Sequence, residues 1–222
     1  RRYLDHVQSL GIKLGLDNLR REGHPDEHLH LVGNVMIDNL MWFLPKVRQR
    51  DTLARHDLQP GGYGVVTLHR PSNVDRAETL GSLLDVLQEA ARRLPLVFPI
   101  HPRTRARIES FGLADRLNGS SGIRVTDPLG YLDFLTLTSQ AHLIVTDSGG
   151  LQEESTVLGI PCLTARPNTE RPVTVQEGTS TLVGSDPVQL REGLQQIWDG
   201  TYKVGRCPEL FASETAERIA AV

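Results

Sequence analysis

The chain has 222 residues, of which 39% are hydrophobic and 23% charged, with 20 glycines and 13 prolines. This composition is typical of a globular protein with a full hydrophobic core and excludes a disordered or fibrous chain. The formal net charge of −3 gives no basic footprint, which argues against nucleic acid and an anionic membrane as partners.

Two cysteines, Cys162 in an apolar run and Cys207 in a C-terminal loop, form neither a disulfide framework nor a metal-ligand spacing. We therefore expect a reducing, cytoplasmic location, no bound metal and no other cofactor. No apolar run reaches the roughly 18 residues of a membrane-spanning helix, and no signal-peptide pattern is present. Because the first residue is Arg1 rather than Met, we interpret the chain as a fragment or a processed product.

The charged, moderately amphipathic residues 1–28 are interpreted as a connector that precedes the main domain, residues 29–222. Within the connector, residues 14–23 predict a helix that stops at its last residue, Gly23.

Residues 28–32 alternate as in a strand and lead through a Gly-Asn turn into the apolar residues 35–44. The latter predict a packed helix that is ended by Pro45. The polar residues 46–62 finish in Pro-Gly-Gly and predict a loop.

From residue 63 onward, strand-like and helix-like segments alternate. Strands are predicted at residues 63–70, 95–102, 123–128, 143–147 and 161–165. Helices are predicted at residues 80–94, 104–111 and 132–138 and after residue 150. Nearly continuous apolar strands that alternate with helices are typical of a parallel sheet covered on both faces. The sequence therefore predicts a doubly wound, Rossmann-like α/β domain.

The most informative turn follows the strand at residues 143–147, where Asp147-Ser-Gly-Gly150 leads into a helix-compatible run. Glycines let a ligand approach the backbone, and the free N–H groups and dipole of a first helical turn favour a phosphate. Glu154, about one turn past Gly150, is placed to accept hydrogen bonds from sugar hydroxyls. Together these features indicate a nucleotide. A plainer reading stays open, in which Asp147 or Ser148 is a helix N-cap and the glycines only form the turn.

Ligands of doubly wound sheets bind beyond the carboxyl ends of the strands, and the conspicuous polar residues of this chain gather there. They are His69, Arg70, His101, Asp127, Ser148, Gly149, Gly150 and the segment from Arg166 onward. His69 suits a neutral hydrogen-bonding partner or a cation beside a diphosphate, and Asn73 lies in the loop behind it. Arg171 is a candidate phosphate clamp, because guanidinium pairs with two phosphate oxygens at once. Taken singly, each residue also fits a structural or solvated role.

Five short motifs follow one another along the chain: Leu68-His-Arg-Pro-Ser-Asn-Val-Asp75, Pro99-Ile-His-Pro102, Thr146-Asp-Ser-Gly-Gly-Leu-Gln-Glu-Glu154, Leu158-Gly-Ile-Pro161 and Asn168-Thr-Glu-Arg-Pro-Val-Thr-Val175. In this order and spacing they resemble the non-hydrolysing UDP-N-acetylglucosamine 2-epimerases, over residues 14–222. That family has two Rossmann-like domains in the glycosyltransferase-B arrangement, with the nucleotide sugar in the cleft between them. The resemblance implies that this chain supplies the second, UDP-binding domain and that its last helix, residues 214–222, packs back toward the first.

The resemblance also implies a single UDP-sugar site. Its candidate residues are His69, Arg70, Asn73, His101, Pro128, Leu129, Ser148, Gly149, Gly150, Glu154 and Arg171. The implied diphosphate contacts come from Ser148, Gly149, Gly150 and Arg171, the ribose contact from Glu154 and the uracil contact from the backbone of Pro128 and Leu129. By the same resemblance, His69 lies beside the diphosphate and assists catalysis. Arg70 and His101 face the cleft, where some bacterial members bind a second, activating UDP-N-acetylglucosamine.

The reaction implied by the resemblance eliminates UDP to give a 2-acetamidoglucal and adds it back with the opposite configuration at C2. It yields UDP-N-acetylmannosamine for surface polysaccharide. The acid and base carboxylates lie in the family's first domain, so we expect this chain alone to be inactive and the full-length enzyme to be a homodimer. Two rival functions remain: the donor domain of another glycosyltransferase-B sugar transferase and a UDP-binding module without catalysis. The loop at residues 168–172 favours the epimerase.

Overall fold

A computed structural model describes residues 13–47, 49–117, 122–211 and 214–222. Six parallel strands form one sheet in the order β3-β2-β1-β4-β5-β6. The strands are β1 Gly64–Thr67, β2 Leu96–Pro99, β3 Ile123–Thr126, β4 Leu143–Thr146, β5 Cys162–Thr164 and β6 Ser180–Leu182. The predicted doubly wound parallel α/β sheet is therefore confirmed.

Eleven α-helices occur in the described ranges. They are α1 Lys13–Arg21, α2 Val35–Val47, α3 Thr52–Arg55, α4 Pro71–Val74, α5 Ala77–Ala91, α6 Pro102–Ser110, α7 Tyr131–Thr138, α8 Gly149–Leu158, α9 Pro172–Gln176, α10 Pro187–Trp198 and α11 Thr215–Ala220. Single turns of 3₁₀ helix lie at Asp26–His28, Ala114–Leu117 and Glu209–Phe211. None of these helices is long and apolar enough to cross a membrane.

The sheet separates two layers of the core, because alternate residues of a strand point to opposite faces. Val66 and Val145 join the cluster beneath α5 and α10. Val65 and Ile144 join the cluster on the other face, beside α7 and α8. All four side chains are fully buried, as expected for a sheet covered on both sides.

Two predictions near the N-terminus are wrong. Residues 28–32 are not a strand, since they leave the 3₁₀ turn at Asp26–His28 without pairing to the sheet. The helix α2 does not end at Pro45 but includes it and continues to Val47. Proline removes the backbone donor that would bond to the carbonyl of Met41, so the helix has one hydrogen bond fewer here, and the fully buried Val47 holds the last turn in place.

Several short elements escaped prediction. The predicted loop at residues 46–62 contains α3, and the sheet has a sixth strand, β6. The strand β6 has three residues and includes Ser180 and Thr181, so it shows no apolar run. The helix α10 follows Asp186, whose carboxylate accepts a hydrogen bond from the backbone of Val188 and caps the helix.

The C-terminal helix α11 packs against α2 through Asp38. This carboxylate accepts hydrogen bonds from the backbone N–H groups of Thr215 (3.1 Å) and Ala216 (2.7 Å). The helix predicted at residues 214–222 is therefore present, with a cap supplied by a residue far away in sequence. The first twelve residues of the predicted connector lie outside the described residues.

Candidate functional site

The sheet reverses its winding between β1 and β4, which are hydrogen-bonded neighbours. The helices that follow these two strands lie on opposite faces of the sheet, and this leaves a crevice at the carboxyl ends of the strands. His69 follows β1, and Ser148 follows β4. The fold therefore brings together two residues that are far apart in the chain.

The helix α8 begins at Gly149 with its first turn open to a ligand. Ser148 is the N-cap by position, with φ −82° and ψ 129°, yet its side chain makes no capping hydrogen bond. The backbone N–H of Ser148 donates to Thr146 Oγ1 at 2.9 Å. The plainer reading of this turn, a side-chain cap by Ser148 or Asp147, therefore does not fit, because the Asp147 carboxylate is directed toward the end of β1 instead.

Asp147 is completely buried and ties the end of β4 to the segment after β1. Its Oδ2 accepts hydrogen bonds from His69 N (2.9 Å), Arg70 N (2.8 Å) and Asn73 Nδ2 (2.9 Å). Its Oδ1 lies 2.7 Å from His69 Nδ1. Burial alone would raise the pKa of Asp147, but the hydrogen bonds from His69, Arg70 and Asn73 outweigh it and lower the pKa.

The two predicted histidines lie side by side. The ring centroids of His69 and His101 are 5.6 Å apart, with the planes inclined by 36°. His101 Nδ1 accepts a hydrogen bond from Arg103 N at 3.1 Å and so caps α6. One ring nitrogen of each histidine thus has a partner within the chain.

An open cavity of about 410 Å³ lies in this crevice. Seven of the predicted site residues line it: His69, His101, Pro128, Leu129, Ser148, Gly150 and Glu154. Leu129, Tyr131 and Phe134 make one wall apolar, whereas His69, Ser148 and Glu154 supply polar groups. A mixed wall of this kind suits a ligand with a flat ring at one end and oxygen-rich groups at the other.

Glu154 is the carboxylate of this cavity wall and is 7% exposed. Burial, assisted by repulsion from the neighbouring Glu153, raises the pKa of Glu154 to about 7. At neutral pH the side chain is therefore present in both protonation states, and each can hydrogen-bond to a hydroxyl group.

Arg171 lies beside the start of α8 rather than in the cavity wall. Its Nε is 3.1 Å from the buried carboxylate of Glu153. A Cβ atom at Gly149 would lie only 2.4 Å from Arg171 Nη1. The missing side chain of Gly149 therefore makes room for this guanidinium.

The segment before α9 is anchored and is not a freely solvated loop. Thr169 accepts a hydrogen bond from Arg171 N at 3.0 Å and donates one to Gln152 Oε1 at 2.8 Å. Arg166 forms two hydrogen bonds with Glu170, of 3.0 and 2.7 Å. The hydrogen bonds from Arg166 lower the pKa of Glu170 to about 2.

Arg70 and Asn73 do not line the cavity among the described residues. The side chain of Asn73 is completely buried, and its role as a ligand contact stays a prediction. Its Nδ2 donates to Ala165 O at 2.9 Å as well as to Asp147, and its Oδ1 accepts from Ser185 Oγ at 2.6 Å. Asn73 therefore stabilises the site indirectly, through its hydrogen bonds to Asp147 and Ala165.

Comparison of the sequence with known protein families identifies the family of the chain. The family described as UDP-N-acetylglucosamine 2-epimerase matches residues 13–222. The chain belongs to this family.

Members of the UDP-N-acetylglucosamine 2-epimerase family resemble the chain over most of its length. The UDP-N-acetylglucosamine 2-epimerase of Methanococcus maripaludis is 38% identical over 201 residues, which are 87% of this chain and 55% of that protein. The chain thus spans about half the length of the curated relatives it matches.

Solved structures of epimerases show the same fold. The Methanocaldococcus jannaschii enzyme in complex with UDP-GlcNAc and UDP is 34% identical, with a TM-score of 0.85, over 95% of this chain and 59% of that chain. The Neisseria meningitidis enzyme bound to UDP-GlcNAc is 28% identical, with a TM-score of 0.78, over 93% of this chain and 58% of that chain.

The structure adds residues to the site of this epimerase-family domain that the sequence reasoning missed. They are Met36, Thr67, Leu68, Pro99, Tyr131, Phe134 and Leu151. Tyr131 and Phe134 come two and five residues after the predicted Leu129. Their spacing of three places both on one side of α7, which is a usable signal. Met36 comes from α2, far away in sequence, and no local pattern indicates its position.

Proposed function

We propose that this chain binds the UDP part of UDP-N-acetylglucosamine and takes part in its interconversion with UDP-N-acetylmannosamine. The observation that carries the proposal is the uncapped start of α8 beside the cavity at the β1/β4 crevice. A first helical turn with free N–H groups binds a phosphate group well. The epimerase family membership supplies the identity of the nucleotide sugar.

The diphosphate is proposed to lie over the backbone of Ser148, Gly149 and Gly150. His69 lies beside it, because this side chain lines the same cavity. Arg171 contributes positive charge from behind Gly149, where its guanidinium is already positioned by Glu153. A clamp held in place before the ligand arrives loses less conformational entropy on binding.

The nucleoside is proposed to lie along the apolar wall. Its ribose hydroxyls reach Glu154, and its uracil contacts the backbone of Pro128 and Leu129, with Tyr131 and Phe134 adding apolar surface. We place Arg70 and His101 at the edge of the cleft, where they are available to a second nucleotide sugar.

The C2 chemistry is proposed to depend on carboxylates of the other half of the epimerase fold, which pairs with residues 29–222 across the cleft. Residues 1–28 would connect the two halves, and α11 would cross back toward the partner half. We further propose a cytoplasmic homodimer for the full-length enzyme, which sedimentation of the complete protein would test.

Calorimetric titration with UDP, UMP and uridine tests the nucleotide site. We expect affinity to fall in that order, because each step removes a phosphate from the start of α8. Arg171→Ala should weaken UDP binding by about tenfold or more, since a charged hydrogen bond contributes roughly 1.5–3 kcal/mol. Arg191→Ala, which removes an exposed arginine paired with Glu89 on the other face of the sheet, serves as the control and should leave binding unchanged. Equal affinity for UDP and uridine would place the diphosphate elsewhere.

A further inference from the structure

We propose that Asp147 is a positioning residue that fixes the tautomer and orientation of His69, so that Nε2 is the nitrogen offered to a ligand in the cavity. The consequence for the diphosphate rests on the proposed function, but the state of the ring does not. The inference comes from the contacts of the two oxygens of this buried carboxylate.

The proton between Asp147 and His69 can be located by elimination. Asp147 Oδ1 is buried, and among the described residues no group makes a hydrogen bond of regular geometry to it. His69 Nδ1 lies 2.7 Å away. If Nδ1 carried a lone pair, two acceptors would face each other in a buried place, and Oδ1 would lack a donor. Because the hydrogen bonds to Oδ2 keep the carboxylate ionised, the short distance favours a proton on Nδ1.

Asn73 fixes the roles of the two carboxylate oxygens. Its Oδ1 accepts from Ser185 Oγ at 2.6 Å, so its Nδ2 must point toward Asp147 Oδ2 and Ala165 O. Together with the two backbone donors, this amide saturates Oδ2. Oδ1 is thereby left to His69 alone. The orientation of the Asn73 amide therefore determines which carboxylate oxygen faces the histidine.

Fixing Nδ1 as the protonated nitrogen has a chemical consequence. In the neutral ring Nε2 is an acceptor, and in the imidazolium it is a donor. The buried carboxylate balances the positive charge of the imidazolium, so that form can donate from Nε2 to an oxygen of the diphosphate. The arrangement thus gives His69 a defined direction and a counter-charge without direct contact between Asp147 and the nucleotide.

The substitution Asp147→Asn distinguishes this positioning role from a purely structural role in the turn. The amide oxygen can replace Oδ2 and keep the bonds from the backbone and Asn73, while the amide nitrogen faces His69 Nδ1. A donor at that position requires Nδ1 to be unprotonated, so the proton moves to Nε2. Nitrogen-15 NMR of the ligand-free protein, with the His69 signals assigned by their loss in His69→Gln, reads the tautomer directly. We expect a proton on Nδ1 in the wild type and on Nε2 in the variant.

A wild-type ring protonated only on Nε2 would overturn the proposal. This arm needs neither a nucleotide nor the Asp147→Asn variant, so it decides even if Asp147→Asn fails to fold or if the domain binds no UDP. Asp85→Asn, which removes an exposed carboxylate on α5, should leave the His69 signals unchanged.

The second arm measures UDP affinity in a double-mutant cycle. Asp147→Asn should weaken binding by about tenfold when His69 is present and should have little further effect in the His69→Gln background. An equal loss in both backgrounds would show that Asp147 acts through the backbone of the turn, and the positioning role would be wrong. Absence of UDP binding in the wild type would instead count against the proposed function.

Discussion

The protonation state of Glu154 in the cavity wall changes with pH near neutrality, because burial raises its pKa to about 7. The folded chain therefore holds a proton that the unfolded chain releases near pH 4.5. Between these two values the folded state binds more protons, so the free energy of unfolding falls as pH rises through this window and stays lower above it. The shift corresponds to a loss on the order of 3 kcal/mol.

Glu154→Gln tests this linkage. We expect the variant to be more stable than the wild type at about pH 8 and to differ little at about pH 4, since glutamine cannot ionise. Thermal unfolding across this range measures the effect, and the exposed Glu109→Gln on α6 is the control. Parallel curves for wild type and variant would mean that Glu154 does not titrate near neutral pH.

At the scale of the element, Arg171 pairs with Glu153 of α8, and its guanidinium occupies the space beside Gly149. Gly149→Ala would push the Arg171 guanidinium away from Glu153, leaving a buried carboxylate without its partner. We expect a loss of about 1–3 kcal/mol in the free energy of unfolding, measured by urea denaturation, and weaker UDP binding.

The matched control is the same substitution in an Arg171→Ala background, where the atom that clashes is gone. There Gly149→Ala should cost little. Gly150→Ala has open space around its added Cβ and should leave stability unchanged. A similar cost in both backgrounds would show that the strain arises from the backbone of the turn.

The elements also show how far the sequence predicts the fold. The strands β2 and β4 are buried at every position and β1 at all but its last, Thr67, so their apolar pattern is visible without a structure. The strand β6 depends on pairing with β5, which no local pattern reports. For the site, seven residues of the cavity wall follow from strand ends and the family motifs. The burial of Asn73 cannot be predicted in this way, because a polar residue in a predicted loop gives no indication that the folded chain will bury it.

At the scale of the whole molecule, the described cavity wall carries one carboxylate, Glu154. Removing a proton at C2 and returning one to the opposite face requires groups on both sides of the sugar. The chain aligns with only 55% of the Methanococcus maripaludis epimerase. We therefore expect the isolated chain to bind UDP but not to epimerise UDP-N-acetylglucosamine.

Proton exchange at C2 in deuterated water is the most sensitive measurement of this expectation, because the elimination step would exchange the proton even without net conversion. Mass spectrometry of the recovered nucleotide sugar should match an enzyme-free control. Deuterium incorporation above that control would show that this half carries its own base, and Glu154→Gln would then reveal whether Glu154 is that base.

The cap that Asp38 provides for α11 has a consequence for the order in which the domain is completed. The contact joins Asp38 to Thr215, 177 positions apart in the chain. The helix α2, which carries both Asp38 and the cavity residue Met36, is therefore synthesised well before the helix that it caps. During translation, therefore, the wall that α2 contributes to the cavity gains its contact with α11 only after all six strands of the sheet have been made.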